Sequence, residues 1–342
     1  MKKNRVTIHD IAKELNTTAS TVSRALQDHP RISKSMKVAV MELAQKLNYQ
    51  PNSIASSLRK GKGNTIGVII PRIDRYFFAS VIRGIEDVAY DAGYNILICQ
   101  SYDSFEREKK IVDTLTNGKV DGLLVSVATE TIDFKHFEAV QNKGIPIIFF
   151  DRIPESLDSD KVEIDDFSGA FNAVEHLILQ GCKRIVHFSG LRHVSIYRKR
   201  YEGYKAALER YHISFDANLV FDNVVTRESG ENAAIKISKM IPRPDGIFSA
   251  GDFSALGAII KMKSLGIDIP KDIAVIGFAN EPYDDMVEPA LSSIDQHSAE
   301  MGHCVANLFL EQISENFTSL KHKQILLNPS IVKRASSLRN PD

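Results

Sequence analysis

Residues 7–26 predict two short helices joined by a tight turn, and this pattern restricts the fold of the first part of the chain more than any other. The first helix would carry four apolar side chains at the i, i+3, i+4, i+7 spacing that gives a helix one apolar face: Ile8, Ile11, Ala12 and Leu15. Thr7 is expected to cap this helix, with Asp10 completing a capping box. A turn at residues 16–17 would lead to a second cap at Thr18.

The second helix would present hydrogen-bonding side chains to its surroundings. Val22 and Leu26, one turn apart, are expected to be buried. The side chains expected to face outward are Ala19, Ser20, Ser23, Arg24 and Gln27. Such side chains suit base edges and phosphates. A plain pair of packed helices in an all-helical domain would show the same periodicity, so the pattern alone leaves both interpretations open.

The charge distribution favours the first interpretation. Residues 1–60 hold eleven Lys and Arg against four Asp and Glu, a net charge of +7, although the whole chain sums to zero. The rest of the chain therefore carries seven excess acids. A basic segment on an acidic body is typical of a chain whose one end faces a polyphosphate, so we interpret the helix pair as a DNA-binding head.

Short motifs are spread along almost the whole chain. In the head they are residues 6–12 (VTIHDIA), 20–26 (STVSRAL), 47–52 (LNYQPN) and 55–58 (ASSL). Further on they are residues 66–71 (IGVIIP), 83–86 (RGIE), 120–122 (VDG), 174–177 (VEHL), 255–257 (ALG), 275–278 (VIGF) and 289–291 (PAL). In content, order and spacing these motifs resemble the LacI/GalR family of bacterial transcription regulators.

The resemblance implies a sequence-specific DNA-binding regulator, most simply a repressor, whose head enters the major groove of double-stranded DNA. We expect a homodimer, or a dimer of dimers, on a pseudo-palindromic operator, because two-fold symmetry in the protein requires two half-sites in the DNA. The expected DNA-binding residues are Thr7, Thr18, Ala19, Ser20, Thr21, Ser23, Arg24, Gln27, Ser33, Asn52, Ala55, Leu58 and Arg59.

The end of the head holds two further predicted helices. The third helix would begin at a Ser33 cap and would end before a Tyr-Gln-Pro sequence. Residues 52–60 form a helix candidate of nine residues, which is marginal in water unless something packs on it. The resemblance implies a hinge helix that pairs with its symmetry mate and inserts Leu58 into the minor groove. From the residues alone, a flexible linker is the alternative.

From residue 65 onward the chain alternates between predicted strands and helices, which indicates an α/β fold with parallel sheets wrapped by helices. The predicted strands are 65–70, 95–99, 123–127 and 145–150, then 185–188, 219–222, 246–249 and 273–276. Two similar sets indicate two lobes. The resemblance implies two doubly wound lobes of periplasmic-binding-protein type, to which a helix over 298–315 and a strand over 324–327 would also belong.

The expected domains follow from these elements. They are a helix-turn-helix DNA-binding domain over 1–50, a hinge helix and linker over 51–63, a first effector-binding lobe over 64–164 plus 295–330, and a second lobe over 165–294.

Residues that follow the strands are candidates for an effector site between the lobes, because ligands of open α/β sheets bind beyond the carboxyl ends of the strands. The candidates are Phe77, Phe78, Ser126, Asp151, Arg152, Asp165, Arg200, Asp252, Asn280 and Gln296. Arg200 matches the position of the family's effector-binding arginine. The alternative for Phe77 and Phe78 is a place in the core of the helix that follows.

Aromatic rings with carboxylates, amides and an arginine suit a sugar or sugar derivative, and phosphorylated or acidic ligands are equally compatible. The chain departs from the family at one position, since Ala279 stands where many relatives carry Asp after the VIGF motif. This departure leaves the particular sugar open. Inducer and corepressor action are both compatible with the sequence.

We expect no enzyme activity, no metal and no cofactor, because the chain has no G-x-S-x-G elbow, Walker sequence or metal-spaced His pair. Its three cysteines, Cys99, Cys182 and Cys304, are far apart. No apolar run follows the basic start and none has the length of a membrane helix, which predicts a cytoplasmic protein with no membrane contact. The alternative function is a cytoplasmic small-molecule-binding protein, or a regulator that acts through a protein partner rather than a sugar.

Overall fold

The computed structural model describes residues 6–49, 63–314 and 322–339. The chain divides into two compact units, residues 1–63 and residues 64–342. The predicted hinge helix, with Asn52, Ala55, Leu58 and Arg59, lies outside the described residues.

The first unit is helical. Its described helices are α1 (Ile8–Glu14), α2 (Ala19–Leu26) and α3 (Lys34–Lys46), so the predicted helix pair and the third helix are confirmed. One small core joins them, and Ile11, Val22 and Val40 are fully buried in it.

Capping side chains fix where these helices begin. The backbone N–H and the hydroxyl of Thr7 both donate to Asp10 Oδ2 at 2.8 Å. Thr18 Oγ1 accepts from the Thr21 amide at 3.2 Å, and Ser33 Oγ accepts from the Met36 amide at 3.3 Å. A cap of this kind stabilises a helix by about 1 kcal/mol. The three predicted caps are therefore confirmed as the start signals of the head.

The second unit contains a six-stranded parallel sheet in the order β11-β5-β4-β3-β1-β2. The strands are β1 (Thr65–Ile70), β2 (Asn95–Gln100), β3 (Gly122–Val125), β4 (Ile147–Phe150), β5 (Asp160–Ile164) and β11 (Gln324–Leu327). Helices α4 (Tyr76–Asp91) and α11 (Ser298–Gln312) pack together on one face. Helices α5 (Phe105–Asn117) and α6 (Lys135–Gln141) cover the other face.

A four-stranded parallel sheet in the order β7-β6-β8-β9 forms the other half of this unit. Its strands are β6 (Ile185–Phe188), β7 (Val220–Phe221), β8 (Gly246–Ser249) and β9 (Ala274–Ile276). Helices α7 (Asp166–Leu179) and α8 (Ser195–Arg210) cover one face, and α9 (Arg227–Ser238) and α10 (Asp252–Ser264) cover the other. Both sheets are therefore wrapped on two sides, as the alternation predicts.

Three strands were not predicted. Strand β5 carries Asp160 and Glu163, which are buried, and these acids interrupt the apolar run that marks an interior strand. The other two, β10 (Ser293–Asp295) and β12 (Ser330–Val332), are three residues long and form an antiparallel pair. The predicted strand over 219–222 is only two residues long, because a 3-10 turn over Ala217–Leu219 takes its first position.

The connections between the two sheets follow the chain. After β5 the chain enters α7, and after β10 it returns through α11 and β11 to the six-stranded sheet. In the part of the chain that the structure describes, no helix combines the length and apolar character needed to cross a membrane.

Candidate functional site

The predicted DNA-reading surface of the head is formed by the first turns of α2. Thr18, Ser20 and Arg24 are exposed there, and so is Gln27 directly after the helix. Thr18 Oγ1 is 2.8 Å from Ser20 Oγ and 2.9 Å from Thr21 Oγ1, so these hydroxyls form a small hydrogen-bonded group. Ala19 and Thr21 are half-buried, while Thr7 and Ser33 are exposed at the starts of their own helices.

The expectation that Ser23 faces outward is wrong, because Ser23 is only 8% exposed. The reason is that α2 packs against both α1 and α3. Its buried residues are therefore Val22, Ser23 and Ala25, whereas Leu26, which was predicted to be buried, is only half-buried against the same core.

In the second unit, a cleft of about 390 Å³ opens at the carboxyl ends of the strands of both sheets. Seven of the ten predicted effector residues line it: Phe77, Phe78, Asp151, Arg152, Arg200, Asp252 and Gln296. Parallel strands place the residues that follow them at one sheet edge, which is why positions far apart in the chain meet here.

Arg200 is the most firmly held cation of the cleft wall. It is 4% exposed, and its Nε donates to Asp166 Oδ1 at 2.7 Å. Its Nη1 donates to the Ala250 carbonyl at 2.6 Å and its Nη2 to Gln296 Oε1 at 3.2 Å. The guanidinium also lies over the Phe278 ring, 3.7 Å from the centroid. Described residues thus occupy three of the five N–H donors of Arg200, which leaves two for a ligand.

Two aromatic rings and a second arginine form another part of the wall. Phe77 and Phe78 meet edge to face with ring centroids 5.1 Å apart. Arg152 Nη1 donates to Asp103 Oδ1 at 2.5 Å and to Thr129 Oγ1 at 2.9 Å. Asp151, buried beside it, accepts from Ser126 Oγ at 3.2 Å, and burial raises the pKa of its carboxyl group.

Three buried carboxyl groups cluster at one end of the cleft: Asp252, Glu281 and Asp284. Asp252 Oδ1 accepts from Ser293 Oγ at 2.7 Å, and Oδ2 accepts from the Glu281 amide at 3.3 Å. Burial beside Asp252 raises the pKa of Asp284 to about 10 and that of Glu281 to about 7. The Asp252–Asp284 pair is therefore expected to hold one shared proton at neutral pH, with Asp284 as its main carrier.

The structure does not bring three of the predicted residues to the cleft lining. Asp165 caps α7, accepting from the Ser168 amide at 2.9 Å and from Ser168 Oγ at 2.6 Å, which turns it toward its own helix. Ser126 is fully buried behind Asp151. Asn280 donates to Asp295 and accepts from Arg334, so its amide is used in holding its own loop.

Sequence reasoning missed several residues of the cleft. Asp103, Thr129 and Asn223 each follow a strand end, so the rule used for the other candidates would have found them. Asp166 directly follows the predicted Asp165. The two differ because Asp165 caps α7, whereas Asp166 pairs with Arg200 of the cleft wall. Glu281 follows β9 directly after the predicted Asn280, so the rule selected its neighbour instead; a turn in which Ala279 and Asn280 both have positive φ, at 143° and 52°, brings Glu281 and not Asn280 to the cleft.

Comparison with known proteins gives matches over both units. Residues 7–52 match the model of bacterial regulatory proteins of the lacI family, and residues 174–337 match that of a periplasmic binding protein-like domain. The chain is 32% identical over 310 residues to the ribose operon repressor of Halalkalibacterium halodurans, covering 90% of this chain and 91% of that one. It is 31% identical over 324 residues to the catabolite control protein A of Priestia megaterium, covering 93% and 97%.

A solved structure agrees with these relatives. It is that of a LacI family transcriptional regulator from Enterococcus faecium with bound ribose, which has a TM-score of 0.71 and 27% identity. The match covers 81% of this chain and 100% of that one.

A helix-turn-helix head and a cleft between two parallel sheets are the parts of a ligand-responsive DNA-binding transcription regulator, and not of an enzyme. The chain belongs to the lacI family of bacterial regulatory proteins.

The protonated Asp284 predicts that the stability of the second unit depends on pH. Its pKa is about 10 in the folded chain against 3.8 for an unperturbed Asp, so the folded state keeps a proton that the unfolded state loses. The free energy of unfolding should therefore fall as pH rises above about 4, by roughly 1.4 kcal/mol per pH unit for this one proton. Asp284→Asn, which still donates to Asp252, should raise the melting temperature at pH 8 and reduce this slope.

The measurement is thermal or urea unfolding between pH 5 and pH 8. Asp285→Asn is the matched control, because the Asp285 side chain is 67% exposed and paired with Arg334. If both variants keep the wild-type slope, Asp284 is not protonated in the folded chain.

Proposed function

We propose that this regulator binds an operator through its head as a homodimer and responds to a sugar or sugar derivative held in the cleft. The observation that carries the effector part is Arg200, which described residues fix on three sides while two of its donors stay available. A fixed arginine with free donors suits the vicinal hydroxyl groups of a sugar, which accept hydrogen bonds in pairs.

Other cleft residues support the same ligand class. The Phe77 and Phe78 rings offer apolar faces for a sugar ring, and Asp151 and Asp252 offer acceptors for its hydroxyl groups. The relatives support it as well, since one is named for the ribose operon and a neighbour contains ribose. A pentose or hexose is therefore the first ligand to test.

For the DNA contact, the exposed hydroxyls and Arg24 on α2 are proposed to enter the major groove, with Ala19 and Gln27 beside them. Thr7 and Ser33 would contact phosphates through the starts of α1 and α3. The predicted hinge residues Asn52, Ala55, Leu58 and Arg59 remain a proposal for the minor groove. A DNA-binding regulator works where the chromosome is, so the proposal places the protein in the cytoplasm.

A dimer contact through the second unit is supported by an open sheet edge. Strand β2 lies at the edge of the six-stranded sheet, and Leu97 and Ile98 on it are 48% and 42% exposed. An exposed apolar edge strand is unusual in a monomer. The proposed dimer would bring two heads to the two half-sites of an operator. A dimer of dimers would join two such dimers.

The proposed switch uses the two sheets as lobes, residues 64–164 plus 295–330 and residues 165–294. An effector in the cleft contacts both lobes, so it stabilises one of their relative arrangements. Only a difference in affinity between two states can change DNA binding. The site is compatible with an effector that weakens DNA binding and with one that strengthens it. The effector therefore acts either as an inducer or as a corepressor.

Arg200→Lys tests the effector site. Lysine keeps the charge beside Asp166 but loses the planar group that reaches Ala250, Gln296 and the ligand. Isothermal titration with D-ribose, D-glucose and D-galactose should show wild-type binding that is weakened at least tenfold in the variant. Arg192→Lys is the matched control, because the Arg192 side chain is 46% exposed and pairs with Asp222. Equal binding by wild type and Arg200→Lys would remove Arg200 from the site.

Arg24→Ala tests the reading surface. The operator is first selected from random duplex DNA, and affinity is then measured for it and for an unrelated duplex over a range of salt. If Arg24 contacts a base, the ratio of specific to non-specific affinity should fall by about tenfold, or roughly 1.4 kcal/mol, which lies within the 1–3 kcal/mol of a good base contact. An equal loss for both duplexes would instead place Arg24 on a phosphate. No loss for either would exclude it from the interface.

A further inference from the structure

The carboxyl group of Glu281 is a buried hydrogen-bond acceptor in the wall of the cleft. Glu281 is 6% exposed and lines the cleft, and its Oε2 atom has no hydrogen-bond partner among the described residues. Its carboxyl group accepts a hydrogen bond from the Phe77 backbone amide. Since Phe77 lies in the first turn of α4, that amide has no partner within the helix.

Hydrogen bonds of the neighbouring residues hold Glu281 in this position. The Asn280 amide donates to Ser293 Oγ at 3.0 Å, and the Asn280 side chain contacts Asp295 and Arg334. The Glu281 amide then donates to Asp252. These contacts hold a turn with two successive positive-φ residues, so the position of Glu281 is fixed before any ligand binds.

The surroundings of Glu281 select among possible ligand groups. Arg75 faces it from the start of α4, with its guanidinium 4.2 Å from the centroid of the Phe253 ring. This cation offsets the attraction that Glu281 and Asp252 would exert on an ammonium group. A carboxylate or phosphate would meet the charge of Asp252 and would give Oε2 no donor. A hydroxyl group supplies the donor without adding a charge.

We propose that Glu281 is a specificity-determining residue of the cleft, whose free carboxyl oxygen accepts a hydrogen bond from a hydroxyl group of an uncharged, polyhydroxylated effector. The same residue disfavours sugars that place a carboxylate or phosphate at this position. A ligand that lacks the hydroxyl leaves a buried acceptor unpaired, which is the strongest basis for discrimination between similar ligands. This inference rests on the proposed function of the cleft as a sugar site.

The ionisation of Glu281 should make the affinity for a sugar depend on pH. Burial and the nearby Asp252 raise the pKa of Glu281 to about 7, against the opposing effects of Arg75 and the Phe77 amide. Asp284, on the turn that follows, is the other acid that faces this cluster. Because a hydroxyl donor favours the ionised carboxylate, the affinity for an uncharged sugar should rise between pH 6 and pH 8.

The test is isothermal titration of the full chain at pH 6 and pH 8. The probes are three uncharged sugars, D-ribose, D-glucose and D-galactose, and two charged ones, D-glucuronate and D-ribose 5-phosphate. The variant is Glu281→Gln, which keeps the size of the side chain and removes its charge, and its melting temperature reports that it is folded. Glu288→Gln, an exposed position on the same loop, is the matched control.

We expect an uncharged sugar to bind the wild type and to bind Glu281→Gln about tenfold more weakly at pH 8, with the rise in affinity between pH 6 and pH 8 lost. Glu288→Gln should behave as the wild type. Equal affinity and equal pH dependence in Glu281→Gln overturn this inference and leave the sugar site standing. Binding of only the charged probes also overturns it. Binding of none of the five by the wild type contradicts the proposed effector class itself.

Discussion

The buried ion pair between Arg200 and Asp166 is the interaction on which the cleft depends. Both side chains are at most 5% exposed, so neither charge can be solvated if the other is removed. Burial raises the pKa of Asp166 to about 6 even beside the arginine. An unpaired charge at this depth would cost several kcal/mol, and the pair therefore fixes the first turn of α7 against α8.

The pair also connects parts of the chain that are distant in sequence. Through Gln296 and the Ala250 carbonyl, Arg200 contacts the segment after β10 and the segment after β8. The crossover segment between the sheets thus takes part in forming the ligand site. In the proposed function this gives the effector a direct contact with the place where the two lobes join, which is where a small movement changes their relative arrangement.

The sequence predicted the elements of this fold better than the details of its site. The helices of the head and most interior strands follow from periodicity and caps, because burial of one face decides those elements locally. Strand β5 could not be found this way, since the partners of Asp160 and Glu163 come much later in the chain: Lys199, Gln312, His322, Lys323 and Gln324. Their partners exist only in the folded protein.

The cleft shows the same limit at the level of single residues. The rule that ligands bind after strands led to Arg200, Asp151 and Asp252, but it could not separate Asp165 from Asp166. That choice depends on which carboxylate caps α7. In the same way it could not separate Asn280 from Glu281, because a turn held by Ser293, Asp295 and Arg334 determines which of the two lines the cleft.

In the proposed function, occupancy of the cleft controls the affinity of the head for DNA. The most direct test is the affinity of the full chain for its selected operator, measured by fluorescence anisotropy with and without a saturating sugar that binds the cleft. We expect a change of at least tenfold, which corresponds to about 1.4 kcal/mol of coupling free energy. The same operator affinity with the cleft empty and with the cleft filled would contradict it.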